Sequence, residues 1–121
     1  MNPLLLAGAM LLGGLGSVAR FTIDRTVARR VARSFPFGTL TVNIIGAVLL
    51  GFITGLMVSH PIALLLGTGF VGAFTTFSTW MFETERLTEE RQIRPAIANI
   101  VVSVVLGIAA AAAGQAIAVR L

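Results

Sequence analysis

The stretch GFVGAFTTFSTWMF, Gly69–Phe82, decides how this chain is read. It closes a run from Ser34 to Phe82 that contains no Arg, Lys, Asp or Glu. One α-helix over that run would reach roughly 75 Å, against about 30 Å for a hydrocarbon core. The run therefore folds into two membrane spans. Ser59-His60-Pro61 is the expected turn, because proline disfavours helix at the residue before it. The quoted stretch lies deep in the second of these spans. Its middle is glycine and threonine, which loosen helices, and aromatic residues surround that middle.

Working outward, the whole chain has this character. Of its 121 residues 56% are hydrophobic and 12% charged, whereas soluble domains carry about 25% charge. Four spans are expected in a single membrane domain, residues 1–121: about Pro3–Ala19, Gly38–Ser59, Pro61–Phe82 and Pro95–Val119. The first lacks a basic leader and is followed by three more, so it reads as a retained span rather than a signal peptide. The first loop, RFTIDRTVARRVARSFPF, is basic and weakly amphipathic and is expected at the headgroup surface. The third, ETERLTEERQIR, is charged with mixed sign.

All basic residues are arginine, and they are unevenly placed. Arg20, Arg25, Arg29, Arg30, Arg33, Arg86, Arg91 and Arg94 lie on the side of loops one and three, with Arg120 on the other. The positive-inside rule puts loops one and three in the cytoplasm. Four helices of this length make a thin wall, so an oligomer is expected, with Gly51 and Gly55 available for close helix contact.

The absent residues exclude function classes. Without cysteine there is no disulfide or thiolate chemistry, and one histidine with five acids leaves little for catalysis. His60, beside Pro61, reads as a turn residue. The chain is not read as an enzyme. A small proton-coupled multidrug carrier would need a carboxylate in the first span, and Pro3–Ala19 has none. A non-conducting scaffold or partner subunit remains a second alternative.

Polar residues inside spans each need an account. Thr39 and Asn43 share a face of the second span, and Asn99 and Ser103 share one on the fourth. Each pair reads either as interhelical glue or as neutral donors along an anion path. Gly72 and the Thr75-Thr76 pair read either as a kink or as a break, and a break survives only where it is buried or lines a cavity. Phe70, Phe74 and Phe77 form a packing stripe at helical spacing. Phe77 and Trp80 follow the candidate break, where aromatic edges offer weak positive charge to a small anion. Trp80 also suits an interfacial anchor.

Taken together, GGLGSVARF at Gly13–Phe21, GTLTVNIIGAVLLGF at Gly38–Phe52 and GFVGAFTTFSTW at Gly69–Trp80 resemble, in order, the motifs of the Fluc (CrcB) family of small fluoride channels. The resemblance implies an all-α membrane protein whose third helix is broken, paired as an antiparallel, inverted dimer with pores along the interface. It implies a fluoride path at Asn43, Phe77, Trp80, Asn99, Ser103 and Thr39. It implies a structural Na⁺ held by the Gly72 and Thr75 carbonyls, and a vestibule or structural arginine at Arg20. The partner would be a second copy or an oppositely oriented paralogue. Two departures stand out: Trp80 where the family usually has phenylalanine, and an arginine bias too strong for a chain that inserts both ways. The bias points to one orientation and a paralogous partner.

Overall fold

A computed structural model of the chain describes residues 2–121 and is helical throughout. Four stretches are long and apolar enough to cross a membrane: Pro3–Arg30, Phe37–Leu56, His60–Glu89 and Ile93–Val119.

Helix α1, Pro3–Arg30, opens with the Asn2 side chain accepting from the Leu4 N–H and with proline in the first turn. It does not end where hydropathy ends. The residues expected to lie as a loop on the membrane surface continue the helix for nearly three more turns. Arg20 to Arg30 contains neither glycine nor proline, and the Thr22 and Thr26 hydroxyls donate to carbonyls one turn back. Arg29 and Arg30 in the last turn complement the negative end of the helix dipole.

Helix α2, Phe37–Leu56, ends at Met57, which is left-handed with φ 53°. The turn is thus Met57 to Ser59. His60 and Pro61, expected within it, instead begin α3, His60–Ala63, where proline costs little because a first-turn N–H has no partner anyway. The span continues as a π-helix, Leu64–Val71, then α4, Gly72–Phe74. Thr75 turns extended, at φ −87° and ψ 162°, and the helix is interrupted. It resumes as α5, Ser78–Glu89, which carries the expected third loop onward as helix until Glu90. Helix α6, Ile93–Val119, completes the bundle.

Backbone-to-backbone contact holds these elements together. A β-carbon at Gly16 of α1 would strike the Phe70 carbonyl, and one at Gly69 would lie 3.1 Å from the Ala9 carbonyl oxygen. So α1 packs directly on the π-helical segment. Helices α2 and α6 meet the same way: a β-carbon at Gly51 would overlap the Ala111 carbonyl, and one at Gly55 would sit 2.8 Å from the Ala118 β-carbon. The Gly51/Gly55 pair, read in the sequence as an oligomer feature, therefore closes a contact within the chain. Side chains fully buried in the bundle include Val42 and Leu87.

Gly51→Leu is expected to force α2 from α6 and cost at least the about 1–3 kcal/mol of an overpacked core. Thermal unfolding in detergent checks this; a variant melting with the wild type would disprove the contact.

Candidate functional site at the broken third span

The interruption at Thr75–Phe77 is the centre of the site. A broken helix leaves N–H and C=O groups unpaired, and at membrane depth each needs a partner. Three are supplied from elsewhere in the chain. Asn43 on α2 spans the break with both ends of its amide: Oδ1 accepts from the Thr76 N–H at 2.8 Å, and Nδ2 donates to the Thr76 carbonyl at 3.0 Å. Those two bonds also fix which amide atom is which. Arg20 on α1 donates from Nε to the Ala73 carbonyl at 3.2 Å.

The threonines divide the remaining work. Thr75 gives both its N–H and its hydroxyl to the Val71 carbonyl, at 3.0 and 3.1 Å. The Thr76 hydroxyl accepts from the Thr79 N–H at 3.2 Å, in the first turn of α5. Gly46 lets α2 approach this point, since a β-carbon there would overlap the Thr75 methyl group. Among the described residues, no donor reaches the carbonyls of Gly72 or Thr75.

Beside the break lies an open cleft of about 320 Å³, lined by Asn43, Gly46, Ala47, Leu50, Val71, Thr75, Thr76, Phe77 and Trp80. The break also changes the aromatic stripe. Phe70 and Phe74 stack at 5.8 Å and Phe74 is buried. Phe77 leaves that stripe and is 70% exposed. It meets Trp80 edge-on, with ring centres 5.6 Å apart at 81°. An edge-to-face pair of this kind contributes about 0.5–1.5 kcal/mol beyond its buried area.

Trp80 and Asn99 lock α5 to α6. The indole Nε1 donates to the Asn99 carbonyl at 3.0 Å. The Asn99 amide nitrogen donates to the Thr84 hydroxyl at 2.9 Å and to the Trp80 carbonyl at 3.4 Å. The extra N–H that tryptophan brings is therefore spent within the bundle. Asn99 is fully buried, and its Oδ1 and the Ser103 hydroxyl oxygen have no partner among the described residues.

The structure thus brings Asn43, Thr75, Phe77 and Trp80 to one cleft, with Arg20 holding the neighbouring carbonyl. Asn99 sits behind Trp80, and Ser103 is not part of the cleft lining. Thr39 lies one turn before Asn43, outside the cleft lining, and its hydroxyl donates to Glu83 Oε1. The sequence reading missed Glu83 and Thr84. Glu83 had a signal, being the first charge after the long uncharged run. Thr84 had none.

Comparison with known proteins places the chain in a family. The family model described as CrcB-like protein, Camphor Resistance (CrcB), matches residues 7–115. The chain belongs to the CrcB family. It is similar to the protein named fluoride-specific ion channel FluC 2 of Mycobacterium tuberculosis (strain ATCC 25618 / H37Rv), 69% identical over 92% of this chain and 88% of that one. FluC 2 of Mycolicibacterium paratuberculosis is 66% identical over 92% of this chain and 91% of its own. FluC 1 of Leifsonia xyli subsp. xyli is 40% identical over 94% and 86%.

Asn43→Ala is expected to strand the Thr76 N–H and C=O, each costing about 1–3 kcal/mol. The melting temperature of the purified chain should fall clearly. A loss below about 0.5 kcal/mol, the level of an ordinary surface change, would mean the clamp carries nothing.

Proposed function

We propose that this chain is a subunit of a fluoride-selective channel in a bacterial plasma membrane, through which cytoplasmic fluoride flows out passively. The observation that carries the reading is 69% identity, across 92% of this chain, to a protein named a fluoride-specific ion channel. In acid surroundings HF crosses the bilayer and ionises inside, so an open anion path is sufficient for detoxification. The multidrug-carrier alternative does not survive the family assignment.

The path we assign runs by Asn43, Phe77 and Trp80, with Thr39, Asn99 and Ser103 along its neighbouring polar faces. One Nδ2 hydrogen of Asn43 remains after the Thr76 bond and is a neutral donor at the cleft. Ring edges at Phe77 and Trp80 offer weak positive potential without holding the ion tightly. The Ser103 hydroxyl is an unpartnered donor.

A dimer completes this site. Phe77 is largely exposed, the cleft is open, and the Gly72, Phe74 and Thr75 carbonyls lack donors; together these support an inverted partner seated over the break. Of those carbonyls, Gly72 and Thr75 are oxygen donors of the type a hard cation takes. They fit a Na⁺ shared between subunits, which would supply a fixed positive charge at the interface. Arg20, bonded to Ala73, serves as a structural arginine next to them.

Liposomes holding the chain with its partner should release fluoride but not chloride; equal fluxes would refute selectivity. Asn43→Asp should suppress the flux by at least tenfold, because a carboxylate faces both the anion and the Thr76 carbonyl. Undiminished flux would remove Asn43 from the path.

The arginine asymmetry supports a single orientation, with loops one and three cytoplasmic, and a paralogue of opposite bias as partner. When the chain is expressed alone, both termini should be mapped outside. Equal populations on the two sides would establish a dual-topology homodimer instead.

A further inference from the structure

One face of α1 is uncovered along its length. Met10, Leu11, Leu15, Val18 and Phe21 are between 60% and 73% exposed and lie along one stripe. The opposite face carries Gly16 and Arg20 against the third span. From Pro3 to Phe21 the helix rises roughly 28 Å, close to the about 30 Å of a hydrocarbon core. The apolar stripe therefore ends at Phe21, where the acyl region ends.

The same stripe then turns basic. Arg25 follows one turn later and Arg29 two turns later, roughly 6 and 12 Å beyond Phe21. A headgroup layer adds about 5–7 Å on each side, so Arg25 stands at phosphate depth and Arg29 just outside it. Long arginine side chains reach back across such a distance. The Arg25 guanidinium lies 5.7 Å from the centre of the Phe21 ring. Among the described residues the one ion pair is Arg86–Glu90, so neither Arg25 nor Arg29 is neutralised. The nearest acid in sequence, Asp24, turns instead towards Gly38 of α2.

We infer that Phe21, Arg25 and Arg29 form a docking surface for the phosphodiester headgroup of an anionic phospholipid, with an acyl chain lying along the stripe from Val18 to Met10. Charge complementarity and the match in depth both favour lipid over a second protein chain. The guanidiniums pair with the phosphate, and Phe21 marks the boundary of the hydrocarbon. This surface is separate from the cleft at the break and does not depend on which ion passes there.

Native mass spectrometry of the full chain, offered phosphatidylglycerol or phosphatidylcholine, tests the proposal. Phosphatidylglycerol should be retained in clear excess. R25Q/R29Q should lose that preference by roughly thirtyfold, as expected for two arginines near a charged surface. R25K/R29K, which keeps the charge, should retain most of it and so controls for folding. Equal retention of the two lipids, or an unaltered preference in R25Q/R29Q, would overturn the inference. So would displacement of the lipid by millimolar inorganic phosphate, which would indicate a free-anion site. Cross-linking between copies through position 21 would show a protein there instead.

Discussion

Two hydrogen bonds from Asn43 to Thr76 are the constraint on which the rest depends. Within hydrocarbon an unpaired peptide group costs several kcal/mol, so a span interrupted at its centre needs partners brought from elsewhere. Asn43 alone supplies an acceptor and a donor to one residue. For it to do so, α2 must lie directly against the interruption, and Gly46 leaves the necessary room. Arg20 on α1 serves the Ala73 carbonyl, three residues before Thr76. The break is thus a held conformation, fixed from two helices.

What the clamp leaves unsatisfied gives the site its character. Thr75 and an exposed Phe77 ring line an open cleft, and the Gly72 and Thr75 carbonyls accept no bond among the described residues. A finished interior would cover these groups. Their position next to well-bonded neighbours separates the groups that the chain satisfies by itself from those it leaves open. Trp80 belongs to the first kind: its N–H is committed to α6, and its ring is presented at a fixed angle to Phe77.

Much of this was legible in the residues, for physical reasons. Four spans follow from hydropathy, and glycine and threonine mark the third as the one that kinks or breaks. The ends of the helices were not legible, because hydropathy reports where the membrane stops and not where the backbone hydrogen bonds stop. Hence α1 and α5 run on through residues that looked like loops. The π-helical turn at Leu64–Val71 packs on α1 at Gly16, a contact between distant segments that the local residues do not report. The roles of Asn43 and Asn99 were open for a similar reason: an amide's partner is set by what packs beside it. Their residue type announced a polar role, and only the packing decided which atoms were free.

The contacts divide the chain into two bodies. Helix α1 is seated on the first half of the third span, through Gly16 and the π-helical segment. Helices α2 and α6 are joined at Gly51, and α5 is tied to α6 through Trp80 and Asn99. The two bodies meet along α1 and α2, and the third span passes between them at Thr75 to Phe77. Asn43 sits on one body and grips the edge of the other. It is a latch across the third-span link, and it works alongside the packing of α1 on α2 and of Gly46 on Thr75 that also holds the two bodies together.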